Sequence, residues 1–124
     1  MPANLLSGLR ILLLEDEYLI AMDVEMICRD NGAADVIVKR SMSELDDGFP
    51  LDGFDVAIVD LMLSGATTVP FAKRLAERGK PFIFASGYVD PSVAQRDFPD
   101  ISVVGKPYSG DDLLEALLRA TGRV

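Results

Sequence analysis

Histidine is absent from this sequence, and tryptophan with it. Without histidine there is no Ser-His-Asp or Cys-His catalytic pair and no histidine metal site. Nor can the chain present a phosphohistidine, although it can still receive a phosphoryl group from a histidine elsewhere. Cysteine is reduced to Cys28, which excludes an internal disulfide and fits a reducing, cytoplasmic setting. Basic residues number 12 against 20 acidic ones, a net charge of −8. A chain this acidic is a poor match for a phosphate backbone, so direct nucleic-acid binding is not expected. No apolar run approaches the roughly 20 residues of a membrane span. The first ten residues lack a basic stretch followed by an apolar one, so no signal peptide is expected. Repeats, low-complexity tracts and linkers are missing too. The reading is one domain over residues 1–124, with its core from about 8 to 121 and no second domain.

What is present is enough apolar residue, 49% of 124, for one core without staples. Residues 54–65 organise the rest. Val56 to Val59 is a short apolar run, suited to a strand buried on both faces of a parallel sheet. It ends on Asp60, and Ser64-Gly65 then breaks the chain. Upstream, residues 9–14 read as a central strand ending in Glu15-Asp16-Glu17. From Tyr18 the period turns helical, with Ile20, Val24, Ile27 and Asn31 on one face, Cys28 beside it as a small buried hydrophobe, and Asn31-Gly32 as the stop. Residues 35–38 form a second strand. Residues 41–48 read as a short helix, capped by Ser41, with Glu44 completing a capping box.

Downstream, Thr67 or Thr68 caps a helix running to about Arg78, with Pro70 harmless in its first turn and Gly79 at its end. Residues 81–85 are the fourth strand, followed at once by Ser86-Gly87-Tyr88. A short helix near 91–96 leads to the fifth strand, 101–104, which Gly105-Lys106-Pro107 closes. Ser109 or Asp111 caps a last helix with Leu113, Leu114, Leu117 and Leu118 on its inner face. Strands alternating with helical segments give βαβ units with right-handed crossovers. The fold class is α/β, a doubly wound parallel five-stranded sheet of the (βα)₅ kind.

In a parallel sheet all the carboxyl ends lie on one edge, where open α/β sheets bind ligands. If strands one, three, four and five are neighbours, Glu15, Asp16, Asp60, Ser86 and Lys106 converge there. Singly, each has an ordinary explanation as a helix cap, a turn residue or a strand terminator. Together they describe chemistry. Carboxylates so close repel, and their pKa values rise unless a cation joins them. A hard divalent ion held by carboxylates, a backbone carbonyl and waters describes Mg²⁺. Asp60 would then be the nucleophile toward phosphorus. Lys106 would pair with one phosphoryl oxygen, and Ser86 would donate to another.

With these motifs the sequence resembles the receiver domains of two-component response regulators. They are an acidic pair after strand one, an Asp after strand three, a Ser/Thr after strand four and Lys-Pro after strand five. The resemblance implies a flavodoxin-like sheet in the order 2-1-3-4-5, with Asp60 as phosphoacceptor. It also implies Mg²⁺ bound by Asp16, Asp60 and the Met62 carbonyl, with Glu15 acting largely through water. A histidine kinase or histidine phosphotransfer protein is the implied partner, in a free-standing receiver without an output domain. Three features depart from the common pattern. The proline usual four residues past the acceptor is Ser64, and the aromatic usual three residues before the lysine is Val103. Residues 81–88, and Val69-Pro70-Phe71-Ala72, are similar to the FAT-GUY subgroup, whose kinases are often of the HWE type.

Rival readings fit less well. A flavodoxin-like nucleotide binder needs a phosphate loop where Glu15-Asp16-Glu17 would repel the phosphate. A haloacid-dehalogenase-type phosphatase places a second Asp where this chain has Met62. The alternative that stays open is a receiver-like interaction module that is never phosphorylated. If phosphoryl transfer does occur, it is self-catalysed rather than turnover of a small substrate. Loss of the phosphoryl group is expected to be slow, because Met62 and Tyr88 are bulky and poorly suited to orient a hydrolytic water.

Overall fold

The computed structural model of the chain describes residues 4–45, 48–87, 92–106 and 108–123. Its strands are β1 (Arg10–Leu14), β2 (Asp35–Lys39), β3 (Val56–Asp60), β4 (Met62–Leu63), β5 (Ala66–Thr67), β6 (Phe82–Ser86) and β7 (Val103–Gly105). Its helices are α1 (Tyr18–Asp30), α2 (Val69–Glu77), α3 (Ser92–Asp97) and α4 (Gly110–Ala120). The main sheet runs β2-β1-β3-β6-β7, with every pair parallel. Counting only its five strands, this is the expected 2-1-3-4-5 order of a flavodoxin-like fold.

The apolar runs become strands because both of their faces are covered. Ile11 and Leu13 of β1 point to one side, where Ile58, Ile83 and Val104 meet Val24 of α1 and Leu113 and Leu117 of α4. Leu12 and Leu14 point to the other, where Val59 and Phe84 meet Phe71, Ala72 and Leu75 of α2. Every residue of β3 and β6 is buried, so neither strand shows the alternation of a half-exposed one. Phe82, Phe84 and Phe98 pack edge-on and tilted with ring centroids 5.4–5.7 Å apart. Truncating Phe84, wholly buried, to alanine is expected to cost ~3–5 kcal/mol.

Several boundaries differ from the sequence expectation. The buried line of α1 is Ala21, Val24 and Cys28, with Ile20 and Ile27 flanking it. The face is therefore rotated toward Cys28, whose thiol burial pushes up to about 12. Of the helix expected over residues 41–48, the described residues show a 3₁₀ turn, Met42–Glu44; residues 46 and 47 lie outside them. The capping box of Ser41 and Glu44 is present, the Glu44 carboxylate accepting from the N–H groups of Arg40 (2.6 Å) and Ser41 (3.1 Å). On α4, Ala116 joins Leu113, Leu114 and Leu117 as buried, while Leu118 is only partly covered. Its cap is Ser109, whose Oγ accepts from the Asp112 N–H.

The hairpin β4–β5 has no counterpart in the expected elements. Met62 pairs with Thr67 and Leu63 with Ala66, leaving a two-residue turn of Ser64 and Gly65. Both turn residues have positive φ, 51° and 82°, the mirror-image turn that tight hairpins favour. Proline, fixed near φ −65°, cannot stand at position 64. This explains the departure from the usual proline there.

Candidate functional site

The site is assembled where the strands stop. The β1–β3 register ends at Leu14 and Val59, so Glu15 and Asp60 follow side by side on the carboxyl edge. The β3–β6 and β6–β7 registers pair Asp60 with Ala85 and Ser86 with Gly105. The Lys106 N–H then donates to the Ser86 carbonyl at 2.9 Å. This puts the lysine stem on the same edge. Ser86 is buried, with 8% of its surface exposed.

Glu15, Asp16, Asp60 and Lys106, which the sequence singled out, come together. One carboxylate oxygen from each acid lies within 4.8 Å of the others. Lys106 Nζ donates to Asp60 Oδ2 at 2.8 Å and to Glu15 Oε2 at 3.0 Å. Asp16 is less enclosed, and its Oδ2 accepts from the Ser64 N–H at 2.7 Å. Met62 follows closely, its N–H directed to Asp60 Oδ1 at a long 3.4 Å. Tyr88 lies outside the described residues.

Among the described residues, Lys106 pairs with two of the three clustered carboxylates, Glu15 and Asp60, and the electrostatics register the excess of negative charge. Burial pushes Glu15 up to about 7 in spite of its hydrogen bonds from Lys106 and the Glu17 N–H, and the charge of Asp60 adds to the rise. Burial opposes the charge of Lys106, but hydrogen bonds to Asp60 and Glu15 outweigh it and raise its pKa. Glu15 Oε1 is 2.9 Å from Nζ, within ion-pair range. It is nevertheless not aligned for a hydrogen bond, and among the described residues it remains a buried oxygen without a hydrogen-bond partner. An unsatisfied carboxylate oxygen among excess negative charge fits a hard, oxygen-seeking cation such as Mg²⁺.

Three features of the site escaped the sequence reading. Thr68 stands at the N-cap of α2, but its side chain caps nothing. It is wholly buried, and its hydroxyl donates to the Asp60 carbonyl at 2.5 Å, with the Leu61 carbonyl at 3.2 Å. Arg40 ties the hairpin turn to the acidic pair: its Nη2 donates to the Asp16 carbonyl (3.2 Å), and its own carbonyl accepts from Ser64 Oγ (2.9 Å). Tyr108 has a buried hydroxyl without a hydrogen-bond partner among the described residues, and burial, with the charges of Glu15, Asp60 and Glu17, raises its pKa. No sequence signal marks Arg40 or Tyr108. Thr68 carried one, but capping explained it first.

No protein-family model and no curated protein matches this sequence. Solved structures do match, with a common theme. The N-terminal signal receiver domain of a two-component system response regulator from Bacteroides fragilis is 22% identical, with 93% of this chain and 98% of that one covered and a TM-score of 0.77. The non-phosphorylated HemR receiver domain from Leptospira biflexa is 24% identical, covering 92% and 94%, TM-score 0.73. A Francisella response regulator receiver domain is 21% identical, covering 94% and 98%, TM-score 0.75. The fold of this chain is that of the flavodoxin-like receiver domains.

Proposed function

We propose that this protein is a phosphoacceptor receiver of a two-component or phosphorelay system, with Asp60 as the accepting residue. The observation that supports it most is the cluster itself. Three acids have oxygens within 4.8 Å of one another, and Lys106 Nζ is 2.8 Å from Asp60, on the ligand-binding edge of a receiver-type sheet.

Glu15, Asp16 and Asp60, with the Met62 carbonyl, would hold Mg²⁺. When bound, the ion supplies positive charge that offsets both the attacking carboxylate and the phosphoryl oxygens. An Asp60 oxygen attacks phosphorus in line. An acyl phosphate forms as the P–N bond of the donor's phosphohistidine breaks, and the leaving imidazole takes up a proton. Lys106 turns from its carboxylate partners to one phosphoryl oxygen, and the Ser86 hydroxyl serves another. The donor histidine lies outside this sequence, which has none.

That donor is a histidine kinase or histidine phosphotransfer protein, and the FAT-GUY likeness points to kinases of the HWE type. Signalling is by protein contact in the cytoplasm. Among the described residues no helix is long and apolar enough to cross a membrane. With Val103 in place of the usual aromatic, paired to Phe84 and half-buried, the signal cannot depend on rotation of a ring at that position.

The test is intact-mass analysis after incubation with acetyl phosphate. One phosphoryl group should be gained with Mg²⁺, and none with chelator or in Asp60→Asn. A parent that gains nothing at any Mg²⁺ concentration is the non-phosphorylated interaction module instead.

A further inference from the structure

The geometry points to Thr68 as the positioning residue of the acceptor, holding the Asp60 peptide through its side-chain hydroxyl; this rests on Asp60 being the phosphoacceptor. The β1–β3 register ends at Val59, one residue short of Asp60. The Asp60 carbonyl is instead taken up by the Thr68 hydroxyl at 2.5 Å, inside a position with no exposed surface. The same hydroxyl lies 3.2 Å from the Leu61 carbonyl, which also accepts the Thr68 N–H at 3.2 Å. Two consecutive carbonyls of the acceptor segment thus end on one residue.

Thr68 is also the first residue to accept within α2, its carbonyl taking the Ala72 N–H at 3.0 Å. The pair Leu61–Thr68 closes the base of the hairpin whose tip, through the Ser64 N–H, holds Asp16. The start of α2, the acceptor's backbone and one of the acids are therefore joined by a short chain of hydrogen bonds. The consequence is specific to the hydroxyl. Without it, a buried carbonyl loses its donor, the Asp60–Leu61 peptide is left to the bond from the Leu61 N–H to the Ala85 carbonyl at 3.0 Å, and the carboxylate is less firmly aimed where Lys106 and the incoming phosphorus meet. Thr68 touches no reacting atom; it acts through Asp60.

The test compares the parent with Thr68→Val, which keeps the shape and removes the hydroxyl, and Thr68→Ser, which keeps the hydroxyl and removes the methyl. Each is confirmed folded by its thermal transition. Labelling rates are then measured against acetyl phosphate concentration at saturating Mg²⁺, separating the maximal rate from the half-saturating concentration. The Asp60 carbonyl ¹³C shift of each is read by NMR.

Thr68→Val should lose about tenfold in maximal rate with little change in half-saturation, and its Asp60 carbonyl should move upfield. Thr68→Ser should return to within about twofold of the parent and keep the parental shift. A labelled parent whose Val variant reaches the same maximal rate overturns the positioning role alone. So does a Ser variant as slow as Val, which would assign the effect to the methyl group. A parent that takes no label at Asp60 overturns the acceptor reading, and the positioning role falls with it.

Discussion

Replacing Lys106 with methionine keeps the stem and removes the cation that pairs with Glu15 and Asp60. In the structure its Nζ sits 2.8 Å from Asp60 Oδ2 and 3.0 Å from Glu15 Oε2, and the partner side chains are 7% and 0% exposed. Removing one member of a buried ion pair costs ~3–5 kcal/mol, because the charge left behind has neither partner nor water. Asp16, which is less buried, marks where solvent reaches the cluster, so the lower end, ~3 kcal/mol, is expected. For a domain of this size that is a fall of roughly 10 °C in Tm. The assay is urea denaturation followed by far-UV circular dichroism, in chelator and in MgCl₂. The loss should be largest in chelator, and Mg²⁺ should restore part of it by supplying the missing charge. A variant within ~0.5 kcal/mol of the parent in chelator would refute the picture of carboxylates held by Lys106.

Other outcomes follow from separate parts of the molecule. Ser64→Pro, which introduces the residue common in receivers, should destabilise by more than ~1 kcal/mol because φ there is 51° and the N–H serves Asp16; urea midpoints check it. Tyr108→Phe removes a buried hydroxyl that has no partner among the described residues and should leave stability unchanged or raise it by ~1 kcal/mol, read from the same curves. The Asp55 carboxyl is held below its ordinary value by hydrogen bonds from the Arg10 side chain and N–H. Its contribution is therefore present above about pH 4 and lost as pH falls through the lowered value. The stability gap between the parent and Asp55→Asn should accordingly narrow as pH falls below about 4. Met62→Asn should speed decay of the phosphorylated protein about tenfold in Mg²⁺ buffer; an unchanged half-life would remove Met62 from the account of slow hydrolysis.

The strands and their edge were legible because the signals are redundant. Val56 to Val59 and Phe82 to Ala85 are apolar throughout, which only a doubly covered strand explains, and all five strand ends then share one edge. Asp60 and Lys106 stand out because nothing apolar accounts for them. The hairpin was not legible. Two-residue strands have no period, and Ser64-Gly65 reads the same whether it ends a segment or turns it back. Thr68 is the N-cap residue, as read, but its side-chain role was hidden for a related reason: a threonine before a helical pattern already has a sufficient local role, and its bond to the Asp60 carbonyl spans eight residues. In α1 the small residues Ala21 and Cys28 outrank Ile20 and Ile27 for the inner face. That preference is set by the partner surface rather than by hydropathy.

The central claim is that Asp60 accepts a phosphoryl group from a phosphorus–nitrogen bond. Phosphoramidate offers that bond without a partner protein, and peptide-resolved mass spectrometry locates the product. The account predicts a Mg²⁺-dependent acyl phosphate on the peptide containing Asp60, absent with chelator and absent from Asp60→Asn. Equal labelling of Asp60→Asn, or a phosphoryl group found on any other residue of the parent, would contradict it.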